Sequence, residues 1–254
     1  MRVKILGCGA SGGVPLITGE WGVCDPKNPK NRRRRASILV EDHDTTLLVD
    51  SSPDLREQCL SNGIRKIDAV IYTHDHADHT QGLDDLRPFL QTQKKPIPLY
   101  GDAGTLEDLK SRFGYAFPLV ENPPEIYRHF VTPHIIDGPF VVKGIAVTPF
   151  LQGHGYSTSL GFRFGKVAYS TDVLTLDEAS FQVLEGVDVW IVDCIAMDPR
   201  ATHSHLPQTL EWIERVKPRQ AYLTHMSHHL DYDTLVGLLP KGIEPAYDGL
   251  VIEV

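Results

Sequence analysis

One short stretch constrains this chain more than its length or its composition. The run Asp68-Ala69-Val70-Ile71-Tyr72-Thr73 has the apolar, β-branched and aromatic content of a strand, and it passes directly into His74-Asp75-His76-Ala77-Asp78-His79. Three imidazoles and two carboxylates in six consecutive positions are hard to tolerate in a packed interior without metal or hydrogen-bond partners. Imidazole and carboxylate together suit zinc, manganese or iron, and no paired thiolates point to a purely structural cysteine site. His74 and His76, two apart on an extended segment, can face one ion, while Asp78 and His79, past the bend, can face a second. Such a loop supplies only about half of the donors that two ions need. The fold must bring the rest to the same edge.

Later strand ends offer them. His154 lies in Gly153-His154-Gly155 after a strand expected to end near Phe150, Asp172 ends the run VAYST, and His225 ends QAYLT. Further strand-like runs begin at Val3, Ser37, Thr46, Lys143, Ser159 and Val187. Helical periodicity fits 53–62, 105–113, 176–184 and 206–216, with Asp54, Thr105 and Thr175 as caps or first-turn residues. Many strands with few helices predict two sheets packed face to face with helices outside. No linker or repeat divides the 254 residues, so a single domain over 1–254 is expected. The segments 25–31 and 121–124 read as surface loops.

Composition narrows the function classes. The formal charge of −8 argues against nonspecific attraction to nucleic acid or acidic membranes. No stretch approaches the roughly 18–20 apolar residues of a membrane span, and the opening residues lack the apolar core of a signal peptide. Cys8, Cys24, Cys59 and Cys194 are scattered without a CxxC pair, which fits a reducing, cytoplasmic setting. The run Arg32–Arg35 reads as a solvated face that could reach an anionic substrate.

Two familiar motifs fail on context. Gly7, Gly9 and Gly12 spell the dinucleotide pattern GxGxxG, and Gly9-Ala10-Ser11-Gly12-Gly13 spells the nucleophile-elbow pattern GxSxG. Both must open a helix, and Gly13-Val14-Pro15-Leu16-Ile17-Thr18 is a poor helix former. The glycines read more simply as tight turns and close backbone approach.

The stretch His74-Asp75-His76-Ala77-Asp78-His79, with His154, Asp172 and His225 following in order, resembles the HxHxDH signature and later ligands of the metallo-β-lactamase superfamily over essentially the whole chain. The resemblance implies an α+β fold, a four-layer αββα sandwich. It puts His74, His76 and His154 on one divalent ion, Asp78, His79 and His225 on the other, and Asp172 between them as the bridge. Asp50 and Asp248 resemble acids that orient a ligating imidazole, with turn or cap roles as the alternative. Two ions roughly 3.5–4 Å apart can generate a hydroxide at neutral pH, so hydrolysis is the implied reaction, with zinc or manganese as the metal.

Within the superfamily, GCGASGGVP, NRRRRAS, LTHMSHHLD and AYDGL resemble the branch of phosphoribosyl cyclic phosphate phosphodiesterases. That implies a small cyclic phosphate or nucleotide-like ester as substrate, and a homodimer. His203 falls at the position of a proton donor to the leaving oxygen, with His205 two residues away as the alternative, and His228 is a further candidate for contacting phosphate. Asp78 and Asp172 join His203 as the implied catalytic residues. The branch carries a three-cysteine zinc cluster before the arginine segment, whereas Gly19-Glu20-Trp21-Gly22-Val23-Cys24 keeps one cysteine, which puts that structural zinc in doubt. Three other functions share the scaffold: a glyoxalase-type thioester hydrolase, an RNA-processing nuclease, and a non-catalytic cofactor carrier. The nuclease would need a basic surface, and the carrier reading would be favoured by lost ligands.

Overall fold

The computed structural model describes residues 1–118 and 129–254, so the loop expected at 121–124 lies outside the described residues. The chain runs β1 (Arg2–Gly7), β2 (Ser37–Asp42), β3 (Thr45–Val49), α1 (Leu55–Asn62), β4 (Ala69–Ile71), α2 (Ala77–Thr80), α3 (Arg87–Gln93), β5 (Ile97–Gly101), α4 (Ala103–Arg112), β6 (Val131–Ile135), β7 (Phe140–Val142), β8 (Ile145–His154), β9 (Ser157–Phe164), β10 (Val167–Ser170), α5 (Glu178–Leu184), β11 (Val189–Asp193), α6 (Leu206–Val216), β12 (Gln220–Thr224), α7 (Tyr232–Leu238), β13 (Ile243–Pro245) and β14 (Val251–Glu253). One sheet has the order β14-β1-β2-β3-β4-β5-β6 and the other β13-β12-β11-β10-β9-β8-β7. Each is antiparallel in one half and parallel in the other, with β3 to β6 and β10 to β13 as the parallel runs.

Strand alternation assigns the layers. In β2, Ile38 and Val40 join the core between the sheets, while Leu39 joins a second core beneath the helices. Leu47 and Val49 against Leu48 in β3, and Ala69 and Ile71 against Val70 in β4, repeat the division. With both faces buried, these strands are nearly continuous apolar runs. Leu55, Leu83, Leu86, Leu106 and Leu109 cover the outer face of the first sheet. On the second sheet, α6 buries Leu206, Thr209, Trp212 and Ile213 at helical spacing, carries Pro207 in its first turn and stops where Lys217 turns left-handed. Each large side chain so buried contributes about 1.5–3 kcal/mol. Helix, sheet, sheet and helix make the four-layer sandwich.

The differences from expectation have local causes. β6 and β13 contain Pro133 and Pro245, which sequence rules discount, but both strands lie at sheet edges where a missing N–H is harmless. Pro98 of β5 precedes the residue at which pairing with β4 begins, Leu99 opposite Val70. The β8 strand runs through to His154 rather than ending near Phe150. Thr105 takes the first-turn rather than the cap position of α4: the cap is Asp102, whose Oδ1 accepts from Thr105 N at 2.7 Å. Thr175 is not the cap of α5 either; Asp177 is, accepting from Ser180 N at 2.8 Å. Asp54 stands before α1 but spends its carboxylate on Arg35 N, 2.9 Å away.

Candidate metal centre

The parallel strands of both sheets end at one edge, and there the chemistry collects. The sheets are tied at that edge by Leu160 N donating to Thr73 O at 2.8 Å and Met226 N to Cys8 O at 2.8 Å. Three acidic or imidazole residues just past strand ends, Asp50 (φ 63°), Asp172 (φ 55°) and His225 (φ 55°), hold left-handed backbone. For a side chain with a Cβ that costs about 1–2 kcal/mol each, and such strain concentrates where a side chain must be aimed.

The stretch after β4 divides in two. His74 precedes the helix, and His76, with extended backbone, caps the single helical turn α2 that carries Asp78 and His79. Thr80 Oγ1 donates to His76 O at 2.9 Å and Arg112 Nη2 to Asp75 O at 2.5 Å, pinning the turn. Ligand atoms of His74, His76, His154 and Asp172 all lie within 4.8 Å of one another, and so do those of Asp78, His79, Asp172 and His225. Asp172 belongs to both sets. Its Oδ1 lies 3.8 Å from Nε2 of His74 and 3.8 Å from Nε2 of His154; its Oδ2 lies 3.1 Å from His79 Nε2 and 3.5 Å from His225 Nε2.

Partners behind the rings fix their orientation. His79 Nδ1 meets Asp50 Oδ2 at 2.7 Å, and Asp50 also accepts from Thr73 N and Oγ1. His154 Nδ1 donates to Thr202 O at 2.8 Å, which turns its Nε2 into the site, 3.4 Å from His76 Nδ1. Asp193, which sequence reasoning missed, sets Oδ1 3.6 Å from His225 Nδ1 and Oδ2 3.2 Å from His203 Nδ1. Its signal was available: it ends VDVWIVD as Asp50 ends TLLVD.

Electrostatics separate the two sets. Burial holds His74 and His154 below the ordinary imidazole range, with the neighbouring His79 adding to the shift at His74 and Asp172 opposing both. Burial also opposes charge on His79 and His225, but Asp172 and Asp78 overcome it: His79 is held well above its usual range and His225 is pushed up to about 9. Burial works against ionised Asp172 and Asp78 too, yet the facing imidazoles bring both well below the usual carboxylate range. Asp50 is raised by its burial, against its bonds to His79 and Thr73.

A divalent cation fits this donor set. The buried Nε2 atoms of His74, His79 and His225 have no hydrogen-bond partner, and leaving such a group unsatisfied costs about 1–3 kcal/mol. All three lie in the sets that converge on Asp172. Imidazole and carboxylate donors without thiolate suit zinc or manganese.

The remaining expected residues divide. His203 joins the edge: its Nε2 is 3.8 Å from Asp172 Oδ1 and its ring stacks on His225 with centroids 4.8 Å apart. His205 stands at the start of α6 and belongs to none of the metal-capable groups among the described residues. His228 is also outside them; its ring packs on His229 at 4.1 Å in a neighbouring cleft. Asp248 faces no imidazole: it accepts from Cys8 N at 3.2 Å and Arg34 N at 2.8 Å, so its carboxylate ties two loops, the turn role given as the alternative.

The arginine run is not a solvated face throughout. Arg33 is only 2% exposed and donates to Ser227 O and Asn31 Oδ1. This segment also explains Gly7 and Gly9, where an added Cβ would stand 2.1 Å from Arg35 O and 2.9 Å from Arg34 O. Cys24 lies 4.0 Å from Arg33 Nη1 and 3.3 Å from Leu230 O, and no metal-capable group among the described residues includes it. Among the described residues no helix is long and apolar enough to cross a membrane.

A family model described as a beta-lactamase superfamily domain matches residues 45–226, a span that contains every residue of the two sets. The chain is similar to a crystal structure of a new diphosphatase from the PhnP family, 37% identical with a TM-score of 0.89, covering 100% of this chain and 97% of that one. It shares its fold with Zn(2+)-bound PqqB from Methylobacterium extorquens, 19% identical with a TM-score of 0.78 over 100% of both chains. An octanoyltransferase of Porphyromonas gingivalis is 31% identical over 98% of this chain but 51% of its own length. The chain thus spans about half the length of the first curated relatives it matches, at 51%, 40% and 51%. The family match over residues 45–226 and the two-sheet sandwich shared with these structures make this chain a member of the beta-lactamase superfamily.

Proposed function

We propose that residues 1–254 form one hydrolase domain that cleaves a phosphodiester or diphosphate bond in a small cyclic phosphate or nucleotide-like substrate. His74, His76 and His154 would hold one zinc or manganese ion, Asp78, His79 and His225 a second, and Asp172 would be shared. The observation that carries this reading is the carboxylate of Asp172, whose two oxygens face two separate imidazole sets. The 37%-identical diphosphatase supports the phosphoryl substrate class. Four free, buried cysteines fit a cytoplasmic setting.

When bound, the two ions supply a water-derived nucleophile at neutral pH and offset charge that builds on the phosphoryl oxygens. The protein's own residues do the rest. The reaction forms a bond from water oxygen to phosphorus and breaks the bond from phosphorus to the leaving oxygen. That oxygen needs a proton, and His203 would give it. With its Nδ1–H turned to Asp193, protonated His203 offers Nε2–H to the departing oxygen and later regains a proton from solvent. Asp193 Oδ2 orients His203, while its Oδ1 stands near His225.

The test is hydrolysis of bis-(p-nitrophenyl) phosphate beside a glutathione thioester, with zinc- or manganese-loaded protein and the Asp172→Ala variant. Phosphodiester turnover that disappears in the variant is expected. Thioester turnover alone would replace this reading with the thioester hydrolase.

A further inference from the structure

The helix layer over the first sheet is not closed. Between α1 and α3 lies a cleft of about 330 Å³ whose apolar wall is Leu55, Cys59, Leu60, Ile64, Pro88 and Phe89. No residue of the two metal sets lines it. We propose that this cleft is a separate binding site for a small amphipathic carboxylate, with its apolar chain between the helices and its carboxylate on Arg56 and Arg65. The site is independent of the hydrolase reading.

The local sequence builds the cleft. Leu55 and Cys59, four apart on α1, and Pro88 and Thr92, four apart on α3, turn one face of each helix to the gap. Gly63 (φ 65°) ends α1 in the left-handed region, and Ile64 N then reaches back to Cys59 O at 2.9 Å, which brings Ile64 against the last turn of the helix. Both walls are anchored. Leu55 N donates to Ser52 O at 2.9 Å, and Gln93, at the end of α3, accepts from Ile67 N at 2.9 Å and donates to Ile67 O at 3.0 Å. The cleft is thus formed before a ligand arrives. Its volume is at the small end of the roughly 300–1,000 Å³ of ligand sites, which are mostly apolar with a few placed polar groups. That suits one short chain and not a folded partner. Leu60 keeps 53% exposure beside the opening, apolar surface that such a chain would cover.

Charge sets the head group. Arg56 and Arg65 stand exposed on the lining, and among the described residues neither enters an ion pair. Arginines on other clefts are committed: Arg34 to Glu57 at 3.4 Å, Arg35 to Asp54 at 3.1 Å and Arg215 to Glu178 at 2.5 Å. Asp85 is the one carboxylate on this lining. Burial raises it above the ordinary carboxylate range, while the backbone and guanidinium of Arg56 act to hold it down. Two guanidinium groups against one carboxylate leave the rim positive in a chain of formal charge −8. A guanidinium fork matches a carboxylate with two parallel hydrogen bonds. The Cys59 thiol is pushed up to about 12 by burial, with Asp85 adding, so it stays neutral and serves as apolar floor.

The experiment is an amide NMR titration of isotope-labelled, metal-loaded protein with pentanoate, heptanoate and 1-heptanol. Saturable shifts are expected on α1 and α3, with heptanoate about tenfold tighter than pentanoate, since each further buried CH₂ adds about fourfold. Heptanol should bind more weakly than heptanoate. Arg56→Gln and Arg65→Gln should each weaken heptanoate by about threefold, the scale of an exposed ion pair, and leave heptanol unchanged. Leu60→Glu should remove binding of both. All three substitutions fall at exposed positions, and an unchanged amide spectrum away from the cleft shows that each variant is folded. Shifts confined to the metal edge would overturn the proposal. So would equal affinities for heptanoate and heptanol, no gain from pentanoate to heptanoate, or no saturable shift at all.

Discussion

The two sides of Asp172 are made from the same residue types and behave in opposite ways. On the Oδ1 side, His74 and His154 are held neutral by burial, and His76 is exposed. On the Oδ2 side, His79 and His225 are buried among Asp50, Asp78, Asp172 and Asp193, which keep them protonated. The difference is in the backing groups. A Thr73 hydroxyl and a Thr202 carbonyl stand behind His74 and His154, whereas carboxylates stand behind His79 and His225. One side is ready for a cation as it stands, and the other must first give up protons to take one.

The harshest way to break the comparison is to remove the group both sides share. Asp172→Ala should abolish hydrolysis, and in the metal-free protein it leaves His79 and His225 buried with Asp78 as their one remaining shared carboxylate. Breaking such a buried cluster costs about 3–5 kcal/mol, measurable by urea unfolding. Next comes the proton donor. His203→Gln should lower kcat by about 10²–10⁴-fold for a substrate with a poor alkoxide leaving group. The loss should be much smaller for bis-(p-nitrophenyl) phosphate, whose nitrophenolate leaves without help, and metal content should hold. Equal losses on the two substrates would remove His203 from that role.

The third sharpens the contrast through pH. Metal on the Oδ2 side displaces protons from His79 and His225, so its affinity should fall about tenfold per pH unit for each proton displaced as pH drops below about 9. Affinity on the Oδ1 side should stay flat down to the ordinary imidazole range. The sign reverses for stability of the metal-free protein. The folded value for His225 is raised from 6.5 to about 9, so its contribution is complete below pH 6.5 and is lost as pH rises through about 9. Thermal unfolding between pH 6 and 9.5 reads this. The smallest expected effect separates two aspartates that the sequence put in one class. Asp50→Asn should weaken metal on the Oδ2 side by about 10–100-fold, while Asp248→Asn should cost about 1 kcal/mol in stability and leave metal content alone.

The sequence made the metal edge legible because its residues are local or end recognisable strands. His74 to His79 are consecutive, and His154, Asp172 and His225 each follow an apolar run. All nine strands read from the sequence appear, and α6 matches its expected bounds of Leu206–Val216. Short edge strands with Pro133 and Pro245 were hidden because edge pairing tolerates what an interior strand would not. Asp193 carries the same signal as Asp50, an apolar strand ending in aspartate, and was overlooked. Asp248 is the harder case, because which aspartate stands behind an imidazole and which ties two loops depends on how the loop after β13 packs, and no spacing along the chain carries that. Arg33 looked like surface because a run of four arginines usually is, yet its guanidinium finds Ser227 and Asn31 in the interior.

Metal titration of stripped protein, read as ions bound per chain in wild type and in Asp172→Ala, tests the central claim most directly. The account predicts two ions in the wild type with distinct pH dependences, and loss of at least one ion in the variant. One ion in the wild type, or two that persist undisturbed without Asp172, would contradict it.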